Sequence, residues 1–125
     1  MAKGKSHSRH DELKKLLVDT LAFSKCFSDI RAEIPGYESP EVITCDKKGA
    51  IFTPDVTAQS EHFNIFEIET RYSFNSKRTG EKWRALANHV GQNKGKLWVV
   101  VPAALRQKVV EKMGMLGIDG GVLGL

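Results

Sequence analysis

At 125 residues, 41% of them hydrophobic and 27% charged, the chain has the size and makeup of one globular domain with a single core. A net charge of +4 and a pI of about 9.1 mildly favour a polyanionic partner. No apolar run approaches the ~20 residues of a membrane helix, and the basic start has no apolar segment of the kind a signal peptide carries, which points to a cytoplasmic protein with no membrane partner. Cys26 and Cys45 form no close-spaced metal motif and read as reduced thiols, with a bridge between them left open.

Residues 1–10 (MAKGKSHSRH) are polar and basic and read as a flexible tail, or as a basic arm for phosphate contacts. The folded domain is expected over 11–125. From about Ser8 to Lys25–Phe27 the pattern is helical, with Leu13, Leu16, Leu17 and Leu21 inward and Asp11 and Glu12 in the first turn. Asp29 to Ile34 alternates as a half-buried strand, and Pro35-Gly36 breaks it. Glu41 to Cys45 reads as a short strand, turned back by Asp46-Lys47-Lys48-Gly49 onto Ile51. Pro54 cannot donate to a sheet ladder, so it marks a bulge, an edge or a strand end that re-aims Asp55. Val56 and Ala58 continue the strand, and Asn64 to Thr70 forms the next one.

The segment RYSFNSKRTG is a polar loop, and Glu81 to Val90 is helical, with Trp83, Leu86, Ala87 and Val90 buried. Leu97 to Val101 is a continuous apolar run, suited to a strand covered on both faces. A second amphipathic helix follows Pro102, with Leu105, Val109 and Met113 inward. Val122 to Leu125 closes the chain as a short strand. The expected order is α-β-β-β-α-β-α-β, a mixed sheet flanked by helices.

Side chains alternate along a strand, so Glu67 and Glu69 share one face, roughly 7 Å apart. Two acids that close need a cation, a basic side chain or a proton to answer them. A solvated strand face is the plain account of an isolated E-x-E pair. Here it follows Pro54-Asp55 within a particular order of elements.

That order, with Pro54-Asp55 and then Glu67-Ile68-Glu69, resembles the PD-(D/E)xK nuclease-like superfamily of restriction endonucleases and archaeal Holliday-junction resolvases. The resemblance spans about Asp11 to Pro102 and implies a restriction endonuclease-like fold. It also implies a Mg²⁺ or Mn²⁺ ion held by Asp55, Glu67 and the backbone carbonyl of Ile68. Such an ion would polarise a DNA phosphate and activate water. Glu12 matches a place where some members carry a further acid.

The family's lysine falls at position 69, which is glutamate here. Three readings follow. A basic residue elsewhere substitutes, Lys82 first and then Lys77 or Arg71; or Glu69 joins a different metal arrangement; or the fold serves binding alone. If the strand runs on, Arg71 shares the face of the two acids and can pair with Glu69. DNA contacts fall to Lys47, Lys48, Arg71, Lys77 and Arg78. Tyr72 and Phe74 stack on bases, mediate a dimer or pack on the first helix, and His89 reads as a surface residue. Two functions stand: a metal-dependent DNA endonuclease, a homodimer if two strands are cut, or an inactive nuclease-fold module for nucleic acid or a protein partner.

Overall fold

A computed structural model describes the backbone of residues 2–45 and 49–125 and the side chains from residue 8 on, leaving out 46–48. Helix α1 spans Ala2–Ser24, so it begins before the expected start at Ser8 and takes in most of the stretch that reads as a tail. Its buried stripe is Leu13, Leu17, Val18 and Leu21. Leu16 lies off that stripe and is exposed, contrary to expectation. Lys25, at a φ of 60°, takes the left-handed conformation common just past a helix end.

Among the described residues five strands, not three, separate α1 from the next helix: β1 (Ser28–Ala32), β2 (Ile43–Cys45), β3 (Ala50–Phe52), β4 (Val56–Gln59) and β5 (Phe63–Ile68). Among the described residues, β2 and β3 pair only with each other, as an antiparallel ribbon outside the main sheet. One of the two extra strands has a simple cause. Pro54 interrupts what reads as one strand, so β3 and β4 go to different sheets.

Helix α2 (Lys77–Gln92) starts a turn earlier than its apolar stripe suggests. The Ser76 hydroxyl caps it by accepting from the Thr79 amide at 3.0 Å. Then come β6 (Lys96–Val101), a 3-10 turn (Ala103–Leu105), α3 (Arg106–Leu116) and β7 (Gly121–Gly124). Gly117, at a φ of 65°, ends α3. A Cβ at Gly121 would meet the Trp98 ring at 2.5 Å, so only glycine lets β7 close against it.

The main sheet runs β1-β4-β5-β6-β7, antiparallel through β5 and parallel from β5 to β7. Helices cover both faces, as the apolar run of β6 requires. On one face α1 packs on Val56, Phe66, Ile68 and Val100. On the other, Trp83, Leu86 and Val90 of α2 and Val109 and Met113 of α3 pack on Ile65, Leu97, Val99 and Val101. Each large apolar side chain so buried contributes roughly 1.5–3 kcal/mol. Phe74 joins the α2–α3 core rather than packing on α1. Cys26 is exposed, Cys45 is buried, and the two are not bridged. Among the described residues no helix is long and apolar enough to cross a membrane.

Candidate active site

Val56 pairs with Phe66, so Asp55, just before β4, lies beside Glu67 at the end of the β4–β5 ladder. There the backbone ladder gives way to side chains. The Asp55 amide donates to Glu67 Oε2 at 3.0 Å, and the Ile68 amide donates to Asp55 Oδ2 at 2.8 Å. Each acid thus has one oxygen fixed by a backbone amide. The second oxygen of each faces a basic side chain. Asp55 Oδ1 lies 3.3 Å from His10 Nε2 of α1. Glu67 Oε1 meets the Lys82 ammonium of α2 as an ion pair.

Glu67 is fully buried. Burial, and then the Asp55 charge, push its pKa up to about 7, against the pull of Lys82 and the Asp55 amide. For Lys82, burial works downward, but Glu67, and then Asp55 and Glu69, outweigh it and raise the pKa. The two shifts pull the pair in opposite senses. Lys82, whose side chain is 30% exposed, keeps its charge, and Glu67 is the member that takes a proton more readily than an ordinary glutamate. Partial burial works to raise the pKa of Asp55, yet the His10 hydrogen bond and charge, the Ile68 amide and Lys82 hold it below the usual range. The Asp55 hydrogen bond raises the pKa of His10 despite burial.

Glu69 has a different role from its neighbour two residues back. It is 6% exposed, and its carboxylate accepts from the Ser73 hydroxyl at 2.8 Å and from the Trp83 indole at 3.1 Å. Burial raises its pKa against those two donors and Lys82. Through Trp83, Glu69 ties β5 to the helix turn that carries Lys82.

Asp55, His10, Lys82, Glu69 and Ser73 open onto a cleft of about 380 Å³, with Asp11 and Lys14 on the α1 side. Glu67 lies behind Lys82. Asp55, Glu67 and Lys82 are therefore brought together from the bend before β4, from β5 and from α2. Other expected residues fall elsewhere. Glu12 points outward, 3.3 Å from Arg9, and does not line the cleft. Arg71 does not pair with Glu69. Its guanidinium lies over the Tyr72 ring, 4.8 Å from the centroid, and donates to the Tyr72 hydroxyl at 2.6 Å. Lys77 and Arg78 are exposed in the first turn of α2, not in a loop. Lys47 and Lys48 lie outside the described residues. His89 lines a different cleft with Thr44 and Arg84.

Sequence reasoning misses His10 because the stretch to residue 10 reads as a tail, and Lys14 because it reads as the outward face of the helix. The signal is present, since both stand three residues before buried leucines, Leu13 and Leu17, and so extend the α1 stripe toward its start.

The donor chemistry fits a small divalent ion. Glu67 Oε1 is a buried oxygen facing the Lys82 ammonium, and Asp55 supplies a second hard oxygen. Mg²⁺ is commonly held by one or two carboxylates together with water and phosphate, not by an all-protein cage. The described residues contain no group of three or more His, Cys, Asp or Glu placed to hold a metal ion. Comparison with protein-family models, curated proteins and solved structures found no significant match to the chain.

Proposed function

We propose that the chain is a metal-dependent, endonuclease-like phosphodiesterase acting on DNA, with Lys82 in the role the PD-(D/E)xK pattern gives to a strand lysine. One observation carries this reading: Asp55 and Lys82 line an open cleft, and Glu67, buried just behind it, contacts both. Stability gives little reason for the arrangement. Burying carboxylates and an ammonium together rarely outperforms an apolar core of the same volume, and buried acids paired with a cation beside a cleft are candidates for a functional site.

Asp55, Glu67 and the Ile68 carbonyl would hold Mg²⁺ or Mn²⁺, which when bound polarises a phosphate and lowers the pKa of water. Lys82 sets a positive charge beside the phosphate and the attacking water. His10, on the opposite wall, orients Asp55 through its imidazole N–H. Glu69 positions Lys82 through Trp83 rather than touching the reacting atoms. Lys77, Arg78 and Lys14 add positive charge along the path of a phosphate backbone.

A second reading has its own support. Glu67 and Glu69 are already answered by Lys82, the Asp55 amide, Ser73 and Trp83, so the acids need no ion to be neutralised. A catalytically inactive module that binds nucleic acid or a protein partner fits that observation. The deciding experiment incubates the protein with single-stranded, duplex and junction DNA in Mg²⁺ or Mn²⁺, beside Asp55→Asn and Lys82→Met. Metal-dependent cleavage lost in both variants supports the enzyme. Binding without cleavage in either metal supports the module.

A further inference from the structure

A second cavity, of about 370 Å³, adjoins the acidic cleft, and Thr70 lines both. Its makeup is unlike its neighbour's. Arg9 and Arg71 stand at its sides, Tyr72 supplies an aromatic ring, and Pro102, Ala104 and Leu105 give an apolar floor. Among the described residues no acid lines it. Helix α1 sends Arg9 into this cavity and the next residue, His10, into the other, so the two spaces are continuous along one helix.

Tyr72 is 51% exposed, so its ring is not there to fill a core. Polar contacts hold it. Its amide donates to Thr70 Oγ1 at 3.2 Å, and Arg71 lies against ring and hydroxyl. An exposed cation–π contact of this kind contributes only about 0.5–1 kcal/mol. The Arg9–Glu12 pair on the rim is exposed as well, and such pairs contribute ~0–1 kcal/mol. Both arginines are therefore cheaply exchanged onto an incoming anion.

Resting on the phosphodiesterase reading, we infer that this cavity is a subsite for one unpaired nucleotide next to the scissile phosphate, so the substrate is a single strand or an unpaired segment of a branched one. Three features select that ligand. The guanidiniums match a phosphate flanking the cut. The ring and apolar floor match the face of a base, which stacks on aromatic side chains with little regard to sequence. The volume admits one nucleotide and no duplex. Bases within a duplex present only their edges, because their faces are covered by the neighbouring pairs. A base reaches this cavity only after leaving the stack.

The test uses the full chain in EDTA, so that binding is read without cleavage. Fluorescence anisotropy compares a labelled single-stranded oligothymidine with a blunt duplex of equal length, for the parent and for Tyr72→Ala, Tyr72→Phe and Arg71→Gln. Thermal unfolding checks that each variant folds. The parent is expected to bind the single strand about tenfold or more tighter than the duplex. Tyr72→Ala is expected to lower single-strand affinity about 5- to 50-fold, within the range for losing one stacked base, and to bring the strand preference to within about twofold. Tyr72→Phe keeps the ring and holds the preference. Arg71→Gln weakens single-strand binding and flattens its salt dependence.

An unchanged preference in Tyr72→Ala, or a parent that binds duplex as tightly as single strand, overturns the subsite. A separate assay of the parent on bis(p-nitrophenyl) phosphate, which has no base, keeps the two ideas apart. Hydrolysis there with no Tyr72 effect on DNA removes the subsite and leaves the enzyme. A Tyr72-dependent strand preference without hydrolysis removes the enzyme and leaves the subsite.

Discussion

The central strand β5 buries polar side chains at both ends, and the two ends solve the problem in opposite ways. At its start Asn64 is 1% exposed. Its amide donates to Ser60 Oγ and His62 O, each at 3.0 Å, and its carbonyl accepts from the Trp98 indole at 3.2 Å. Every one of these partners is neutral, and the network closes the β4–β5 turn. At the far end Glu67 is answered by an ammonium and Asp55 by an imidazole, beside an open cleft. A neutral network stabilises one fold over others at little electrostatic risk. A charged network of the same size adds little stability over apolar packing, and it is worth having where charge must be handled.

The largest expected effect separates the two ends by activity. Asp55→Asn and Glu67→Gln should each lower metal-dependent cleavage by about 10³-fold, in line with several kcal/mol of lost transition-state stabilisation. Asn64→Ala should leave the rate per folded molecule within about threefold. Single-turnover cleavage, normalised to folded protein by circular dichroism, makes the comparison. Similar losses at both ends would mean that the charged end is scaffold as well.

Next in size is the cost of breaking the ion pair. Lys82→Met leaves Glu67 buried without its counter-charge and should destabilise the fold by about 3–5 kcal/mol. Adding Glu67→Gln removes the stranded charge and should recover most of that loss. Urea unfolding of the two single variants and the double variant yields the coupling directly. Simple additivity would show that the two side chains are not paired in solution.

The pH dependence should differ between the ends as well. Glu67 moves from an ordinary 4.5 to about 7 on folding, so between those values the folded chain holds more protons than the unfolded one. Stability must therefore fall as pH rises through that window, by at most roughly 3 kcal/mol, and stop falling from this source above about 7. Asp55 acts in the other sense, because its pKa is lowered. Its contribution is present above about 3.8 and is lost as pH drops through the folded value. Glu67→Gln should remove the slope between pH 4.5 and 7. Asn64→Ala should keep that slope while lowering stability at every pH by about 1–3 kcal/mol, the cost of unpaired buried donors. A parent whose urea midpoint is flat from pH 4.5 to 7 would contradict the buried, shifted Glu67.

Much of this contrast is legible in the amino-acid sequence alone, and the failures have physical causes. Alternation puts Glu67 and Glu69 on one face, and helical spacing puts Lys82 within reach of it, because local periodicity survives folding. Periodicity does not tell the two glutamates apart. Their difference depends on Ser73 and Trp83, which reach Glu69 across the sheet–helix packing. Alternation also carries Arg71 along the strand toward Glu69. The strand instead ends at Ile68, and the following turn rotates Arg71 onto Tyr72. His10 is hidden by the polar letters around it, although its spacing from Leu13 and Leu17 places it on the inward stripe.

His10 is where the smallest effect sharpens the comparison most, since Asp55 has two cations to choose between. The imidazole pKa is raised by its bond to Asp55, so its stabilisation is complete below about 6.5 and is lost as pH rises through the folded value. His10→Gln can still donate to Asp55 but carries no charge. The parent should be the more stable at pH 5.5, by under about 1 kcal/mol because the pair is partly solvated, and the two should converge by pH 8.5. That convergence, read from urea midpoints, would assign the Asp55 counter-charge at low pH to His10. A constant gap across the range would assign it to Lys82 alone, and the α1 wall of the cleft would then be held by the hydrogen bond without any contribution from charge.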